Sequence, residues 1–305
     1  MAMPVHVIHS KKDGPTIFIS AAIHGDEING VEIIRRLLKL KLLRNIRGTL
    51  LAIPVVNVYG FINTSRYLPD GRDLNRFFPG NEKGSLASHL ADVFMTEVVA
   101  QCQYGIDLHS GSNHRTNLPQ IRVALDCPET ERLAKAFGAP VIIDSKLRDK
   151  SLRAAVVEKG IPMLLYEAGE ALRFHEPSIR LGLNGIITVM REIGMLPAKA
   201  SRKARQQPVI VKSTTWLRAS KSGILKSVAT TGTSVIKGDV VATIVDPFGE
   251  QEKVLVTASR NGMVIGSLNL PLVHKGDALI HLAIINDDEV LEELAEYILE
   301  GDLIH

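Results

Sequence analysis

Apolar and polar positions alternate in two textures along the chain. In the first two thirds, short apolar runs alternate with segments of helical period. Thr16 to Ile23 is a continuous apolar run ending in His24-Gly25, the signature of a buried central strand. It is followed by 29–43, where Val31, Ile34, Leu37 and Leu38 recur with charges between them, as in an amphipathic helix. Further strands are predicted at 50–56, 106–109, 121–125, 141–143 and 163–166, and further helices at 86–101, 129–137, 152–159 and 177–193. This rhythm predicts an α/β domain with helices on both faces of a sheet, its ligands gathered at the carboxyl ends of strands.

The pattern breaks around Pro197 to Pro208, where Lys199, Arg202, Lys203 and Arg205 stand among Ala, Ser and Gln, so 199–208 is expected to be an exposed linker. Beyond it come short strands, turns and an internal repeat. Gly223-Ile-Leu leading to Val235-Ile-Lys-Gly-Asp239 is echoed by Gly262-Met-Val leading to Val273-His-Lys-Gly-Asp277. In both copies Lys-Gly-Asp is a turn in which glycine supplies a positive φ. The chain thus divides into an α/β domain over 1–198 and a small all-β domain over 209–305, closed by a helix from Asp287 to Glu300 with Asp as its cap. The two halves resemble a biotinyl/lipoyl-type sandwich or barrel. The stretch Asp246 to Lys253 lacks a carrier's modifiable tripeptide, so a structural or lid role is expected.

Composition narrows the classes. With 36 basic against 33 acidic residues in 305, no surplus of charge supports a nucleic-acid footprint. No apolar run is long enough to span a bilayer, and the first residues lack a secretory apolar core, so a cytoplasmic protein without nucleic-acid or membrane partners is expected. Cys102 and Cys127 form no paired framework or metal motif and are read as reduced thiols.

The chemistry concentrates in four places. His24 and Glu27, three apart after the first strand, can face one ion, or can simply end a strand and open a helix. Asp107-Leu-His109 ends another strand in histidine, and two His with one Glu is a catalytic zinc set that leaves a position open. Glu167, in Glu-Ala-Gly-Glu170, is a strand-end carboxylate suited to take a proton from water. The loop from Arg66 to Gly80 is dense in arginines that could fork onto a carboxylate.

H-G-D-E, D-L-N-R-x-F-P-G, D-L-H and E-A-G-E, in this order over roughly residues 16 to 195, resemble the succinylglutamate desuccinylase/aspartoacylase family, a branch of the zinc carboxypeptidase (M14-type) fold. The resemblance implies a carboxypeptidase-like mixed sheet flanked by helices and one zinc ion per chain on His24, Glu27 and His109. It implies Glu167 as general base, Asn75 and Arg76 as holders of a substrate carboxylate, and Asp73 as the carboxylate orienting His24. An arginine that polarises the scissile carbonyl is implied as well. Arg66 matches it best, and the Asp70-Gly71-Arg72 insertion before Asp73 leaves Arg72 as a competitor, either for that role or for substrate binding. The implied activity is hydrolysis of a small anionic N-acylated amino acid or related amine. A carboxypeptidase with an open cleft and a non-catalytic binding member are the competing expectations. A homo-oligomer is compatible with all three. His114 is expected in a loop, and His6, His9, His89, His175, His274, His281 and His305 are expected to be structural or solvent-facing.

Overall fold

A computed structural model describes residues 2–198, 207–250, 252–301 and 303. The expected linker falls largely outside these residues, as does His305. Among the described residues, no helix is long and apolar enough to cross a membrane.

The α/β part runs β1 (His6–His9), β2 (Thr16–Ala21), α1 (Asn29–Leu37), β3 (Thr49–Ile53), α2 (Val58–Ile62), α3 (Leu86–Val93), β4 (Tyr104–Gly111), β5 (Arg115–Val123), α4 (Pro128–Phe137), β6 (Val141–Asp144), α5 (Leu152–Glu158), β7 (Met163–Glu170) and α6 (Glu176–Glu192). Strands β3, β2, β4 and β7 are parallel neighbours, with β1 antiparallel on the outer edge and β5 antiparallel beyond β7. Alternation along β2 explains the layers: Ile17, Ile19 and Ala21 join the core under α1, α4 and α6, while Phe18 faces the opposite core with Phe78 and Phe94.

Several elements differ from the sequence expectation. The first helix ends at Leu37, and the chain turns extended at Leu40 (ψ 127°) so that Leu43 and Ile46 return to the core. The helix expected over 86–101 is regular only to Val93 and continues as a wide turn over Phe94–Val98 and a tight one over Val99–Gln101. Strand β1 carried no clear periodic signal, because it is an exposed edge. Strand β5 begins six residues earlier than expected, at Arg115. It contains Pro119, which lacks an N–H for the ladder, and the register with β7 shifts between Asn117 and Gln120 around it. Strand β7 runs on through Glu170, which places Glu167 within the strand.

After the undescribed stretch come β8 (Val209–Val211), β9 (Thr214–Arg218), β10 (Gly223–Ser227), β11 (Ser234–Val235), β12 (Val240–Val245), β13 (Val254–Thr257), β14 (Gly262–Leu268), β15 (Leu272–Val273), β16 (Ala278–Ile284) and α7 (Asp288–Glu300). The repeat appears as two similar hairpins, β10–β12 and β14–β16, that exchange their short strands: β11 pairs with β14 and β15 with β10. Gly238 and Gly276 sit at φ 102° and 94° in the corresponding turns. Hydrogen bonding does not stop where the texture changes. Strand β8 adds to β6, and β14 pairs with the first half of β5, so one sheet runs from β1 to β9 across both parts. Helix α7 buries Leu291, Leu294 and Ile298 over this junction, against Val141, Val211 and Ile265 among others. A separate four-stranded antiparallel sheet, β13-β12-β10-β15, packs on β14 and β16 through Ile244, Val264 and Leu282.

Candidate active site

Three parallel strands deliver the site to one sheet edge. After β2 the chain turns sharply at Ala22 (φ 51°) and brings His24 and Glu27 round. Gly25 passes so close to α2 that a Cβ there would lie 2.0 Å from the carbonyl carbon of Gly60, so only glycine permits this approach. Asn29 pins the segments together, its amide donating to Ser110 Oγ (3.1 Å) and to the Glu170 carbonyl (3.3 Å). His109, near the end of β4, lies beside Glu167 of β7 in register.

His24, Glu27 and His109 are buried, and one ligand atom from each can be chosen so that all lie within 4.8 Å of one another. Glu27 Oε1 is 2.7 Å from His24 Nδ1, and Oε2 is 2.9 Å from His109 Nδ1 and accepts the Ser110 N–H at 3.0 Å. The other ring nitrogens face carboxylates: Asp73 Oδ1 is 3.1 Å from His24 Nε2, and Asp107 Oδ2 is 2.7 Å from His109 Nε2. This is how histidines presented to a metal are oriented, the outer N–H on a carboxylate and the inner nitrogen turned to the ion. His24 Nδ1 is buried and makes no hydrogen bond despite its closeness to Glu27. Burial opposes charge on both imidazoles, yet Glu27 with Asp73 raises the His24 pKa, and Asp107 with Glu27 raises that of His109 well above the ordinary value. Burial likewise opposes charge on Glu27, and the two histidines nevertheless hold its carboxyl well below the usual range. The cluster therefore favours positive charge against a buried carboxylate, which a divalent cation supplies, and the donor set fits zinc.

Arg66 extends the cluster, donating from one arm to Glu27 Oε1 (3.1 Å) and from the other to Asp73 Oδ2 (2.9 Å). Asp73 also accepts the Asn75 N–H at 2.9 Å, which folds Leu74–Arg76 into a short turn. Asn75 Oδ1 accepts the N–H of Leu152 at 2.9 Å, tying this turn to the start of α5. Glu167 accepts from Asn117 Nδ2 on Oε1 (2.9 Å) and has Arg122 Nε 2.5 Å from Oε2.

A cavity of about 340 Å³ joins these groups and is lined by His24, Glu27, Arg66, Asn75, Arg76, His109 and Glu167. Arg72 stands apart. Its guanidinium pairs with Asp70 on the exposed surface and lies 6.0 Å from the Phe77 ring centroid, and it does not line the cavity. The inserted Asp70 captures the arginine next to it and leaves the inner position to Arg66. His114 has φ 56° in the β4–β5 turn, as expected of a loop residue, and does not line the cavity.

Other site residues went unread in the sequence. Asn117, Arg115 and Arg122 come from β5, whose first half gave no strand signal ahead of Pro119. Lys146, Arg148 and Arg153 come from the loop after β6 and from α5, and Trp216 comes from β9. Asp107 stands in the Asp-Leu-His109 motif, and its residue type alone carries no signal for the role it has behind His109.

A mixed sheet that gathers two histidines and two glutamates near the carboxyl ends of its parallel strands, beside a group able to hold a metal ion, defines a hydrolase-like class. Residues 13–193 match the model of the succinylglutamate desuccinylase/aspartoacylase catalytic domain, and the chain belongs to this family. It is 27% identical to the N-alpha-acetyl-L-2,4-diaminobutyric acid deacetylase of Halomonas elongata, over 96% of this chain and 87% of that protein. The product-bound ectoine utilization protein EutE (DoeB) from Ruegeria pomeroyi superposes with a TM-score of 0.84 at 25% identity, covering 93% of this chain and 89% of that one. A succinylglutamate desuccinylase/aspartoacylase from Rhodobacter sphaeroides has the same fold, with a TM-score of 0.83 at 24% identity over 92% and 88% of the two chains.

Proposed function

We propose that this protein is a zinc-dependent deacylase that hydrolyses the amide bond of a small anionic N-acylated amino acid or related amine. The observation that carries the reading is the placement of Glu167 in one cavity with the His24, Glu27 and His109 cluster and with Arg66. Family membership and the deacetylase named among the relatives support amide deacylation.

His24, Glu27 and His109 would hold the zinc, which when bound polarises an amide carbonyl and acidifies a water. Asp73 and Asp107 keep the two imidazoles turned inward. Glu167 takes a proton on a carboxylate oxygen and passes it to the leaving nitrogen. Asn117 fixes the rotation of that carboxylate. Arg66 keeps a positive charge beside the developing oxyanion, and Asn75 with Arg76 receives a substrate carboxylate.

The C-terminal strands, read as a biotinyl/lipoyl-like unit over 209–305, serve as a wall or lid to the α/β domain over 1–198. Trp216 closes one side of the cavity, which suits small amides better than peptide chains. A cytoplasmic enzyme without nucleic-acid or membrane partners, compatible with a homo-oligomer, completes the proposal.

The test is a Glu167→Gln variant with zinc content equal to the wild type by elemental analysis, assayed for amine release from a panel of N-acyl amino acids. Loss of about 10²-fold or more in kcat is expected. Turnover at the wild-type rate would overturn the reading.

A further inference from the structure

Two residues of β5 grip one carboxylate of β7. Asn117 Nδ2 donates to Glu167 Oε1 at 2.9 Å, and Arg122 Nε forms an ion pair with Oε2 at 2.5 Å. Separated by an odd number of positions, Asn117 and Arg122 would point to opposite faces of a regular strand. The register shows how both reach the same group. Arg122 stands opposite Leu165 and Gln120 opposite Glu167, but the residue opposite Gly169 is Asn117 rather than Leu118. One extra residue is thus accommodated in β5 around Pro119, a β-bulge of the kind that re-aims a side chain. Arg122 comes to Glu167 from one side along β7 and Asn117 from the other. Gln120, directly across, is buried and makes no hydrogen bond through either amide atom, so it gives the carboxylate no hold.

The Arg122–Glu167 pair is self-contained. Both side chains are mostly buried at the cavity wall, and among the described residues Glu167 is the one carboxylate within ion-pairing distance of Arg122. Elsewhere the Arg122 charge falls on groups that do not compensate it. Burial first, then Arg122, lowers the pKa of Arg153 to about 10, with Arg148 adding to the crowding and Glu167 and Asp144 opposing it. Burial and then Arg122 lower that of His281 to about 3. Turned toward Glu167, the guanidinium is compensated; turned toward Arg153, it meets a like charge.

A general base needs this restraint. Glutamate carries its carboxylate on several rotatable bonds, and a carboxylate bonded at one oxygen alone still swings about that bond. Held at both oxygens from one strand, Glu167 keeps a single orientation relative to the His24, Glu27 and His109 cluster in the same cavity.

We propose that Arg122 is a positioning residue for the reaction: with Asn117 it forms a two-point clamp, built by the β5 bulge around Pro119, that fixes the Glu167 carboxylate, and it does not itself bind the substrate. This rests on the deacylase reading.

The test is steady-state kinetics of Arg122→Met, Arg122→Lys, Glu167→Gln and the Arg122→Met, Glu167→Gln double variant, each at wild-type zinc content, on the best-cleaved member of the N-acyl amino acid panel. Arg122→Met is expected to lower kcat by about 10- to 100-fold with KM within about 2-fold of the wild type. Arg122→Lys, which restores the charge without the planar fork, recovers part of that loss. In the Glu167→Gln background Arg122→Met is expected to change kcat by less than about 2-fold, because the group it acts through has lost its charge. A rise in KM with kcat unchanged, a wild-type kcat in Arg122→Met, or an equal kcat loss in both backgrounds overturns the proposal. Should Arg122→Met fail to fold or to hold zinc, Arg122→Gln takes its place in the same comparison. A crystal structure of the zinc-loaded Arg122→Met enzyme reads the clamp without turnover: a displaced Glu167 carboxylate supports it, and an unmoved one overturns it. If the wild type cleaves no N-acyl amide while the carboxylate is displaced in the variant, the deacylase reading fails and the clamp stands.

Discussion

Asp107 holds His109 from behind: its Oδ2 lies 2.7 Å from Nε2 of the imidazole, and Ser20 Oγ donates to its other oxygen at 2.7 Å. All three residues are buried, so the ring has one orientation, with Nδ1 toward Glu27. Asp107→Asn keeps the volume and removes the charge that makes His109 a strong donor. A fall in zinc affinity of about 10- to 100-fold is expected, read by competition with a chelator of known affinity. Unchanged affinity would mean that His109 is not a ligand through Nδ1.

Two arginines six residues apart have opposite expected weights. Arg66 is mostly buried and bonded to both Glu27 and Asp73, whereas Arg72 is exposed and pairs with Asp70. On the proposed mechanism Arg66→Ala removes the positive charge that faces the reacting carbonyl, and it is expected to cost about 10²- to 10³-fold in kcat. Arg72→Ala, a surface change, is expected to alter stability by no more than about 0.5 kcal/mol and to leave kcat/KM close to wild type. Steady-state kinetics of both variants on one substrate decide it, and the reverse ranking would reinstate Arg72.

These contrasts mark how far the sequence was legible. His24, Glu27, His109 and Glu167 each follow or end an apolar run, so strand and ligand were visible together in a few residues. Parallel pairing of β2, β4 and β7 then brings them to one edge. Residues that reach the site sideways gave no such signal. Asn117 and Arg122 both reach Glu167 because the β5 register slips around Pro119, which interrupts the alternation a strand normally shows. Trp216 arrives from the C-terminal part through pairing of β5 with β14. The repeat around Gly238 and Gly276 was readable, but the exchange of short strands between its halves was not, since local pattern does not specify distant partners. Spacing alone could not separate Arg66 from Arg72; the choice depends on which guanidinium Asp70 captures.

His281 carries a pH signature. Burial, aided by the positive charge of Arg122, lowers its pKa to about 3, so it stays neutral in the folded protein well below the pH at which an unfolded histidine protonates. The unfolded chain therefore binds one more proton between about pH 6.5 and 3. Stability against unfolding is lost as pH falls through that window, by about 1.4 kcal/mol per pH unit for this group. His281→Phe, which retains a ring under Trp216, removes that component. Urea midpoints at pH 7.5 and 5.0 should therefore separate less in the variant than in the wild type. An equal separation in both would show that His281 titrates normally.

Gly266 of β14 gives the Asn117 side chain the room it needs to reach Glu167. A Cβ at 266 would lie 2.7 Å from Asn117 Oδ1 and 3.3 Å from His281 Cβ. The first of these is the far end of a side chain that can move, so Gly266→Ala is expected to cost only about 1–3 kcal/mol of stability. The movement has a functional cost, because the same amide donates to Glu167 Oε1 at 2.9 Å. Displacing it unseats the carboxylate, and a misplacement of that size at a reacting group can lower kcat by up to about 10²-fold. The cause is separable from general damage by a double-mutant cycle. In an Asn117→Ala background the obstructed amide is gone, so adding Gly266→Ala should lower kcat far less than it does in the wild type. Equal losses in the two backgrounds would show that Gly266 acts on the site by some route other than Asn117.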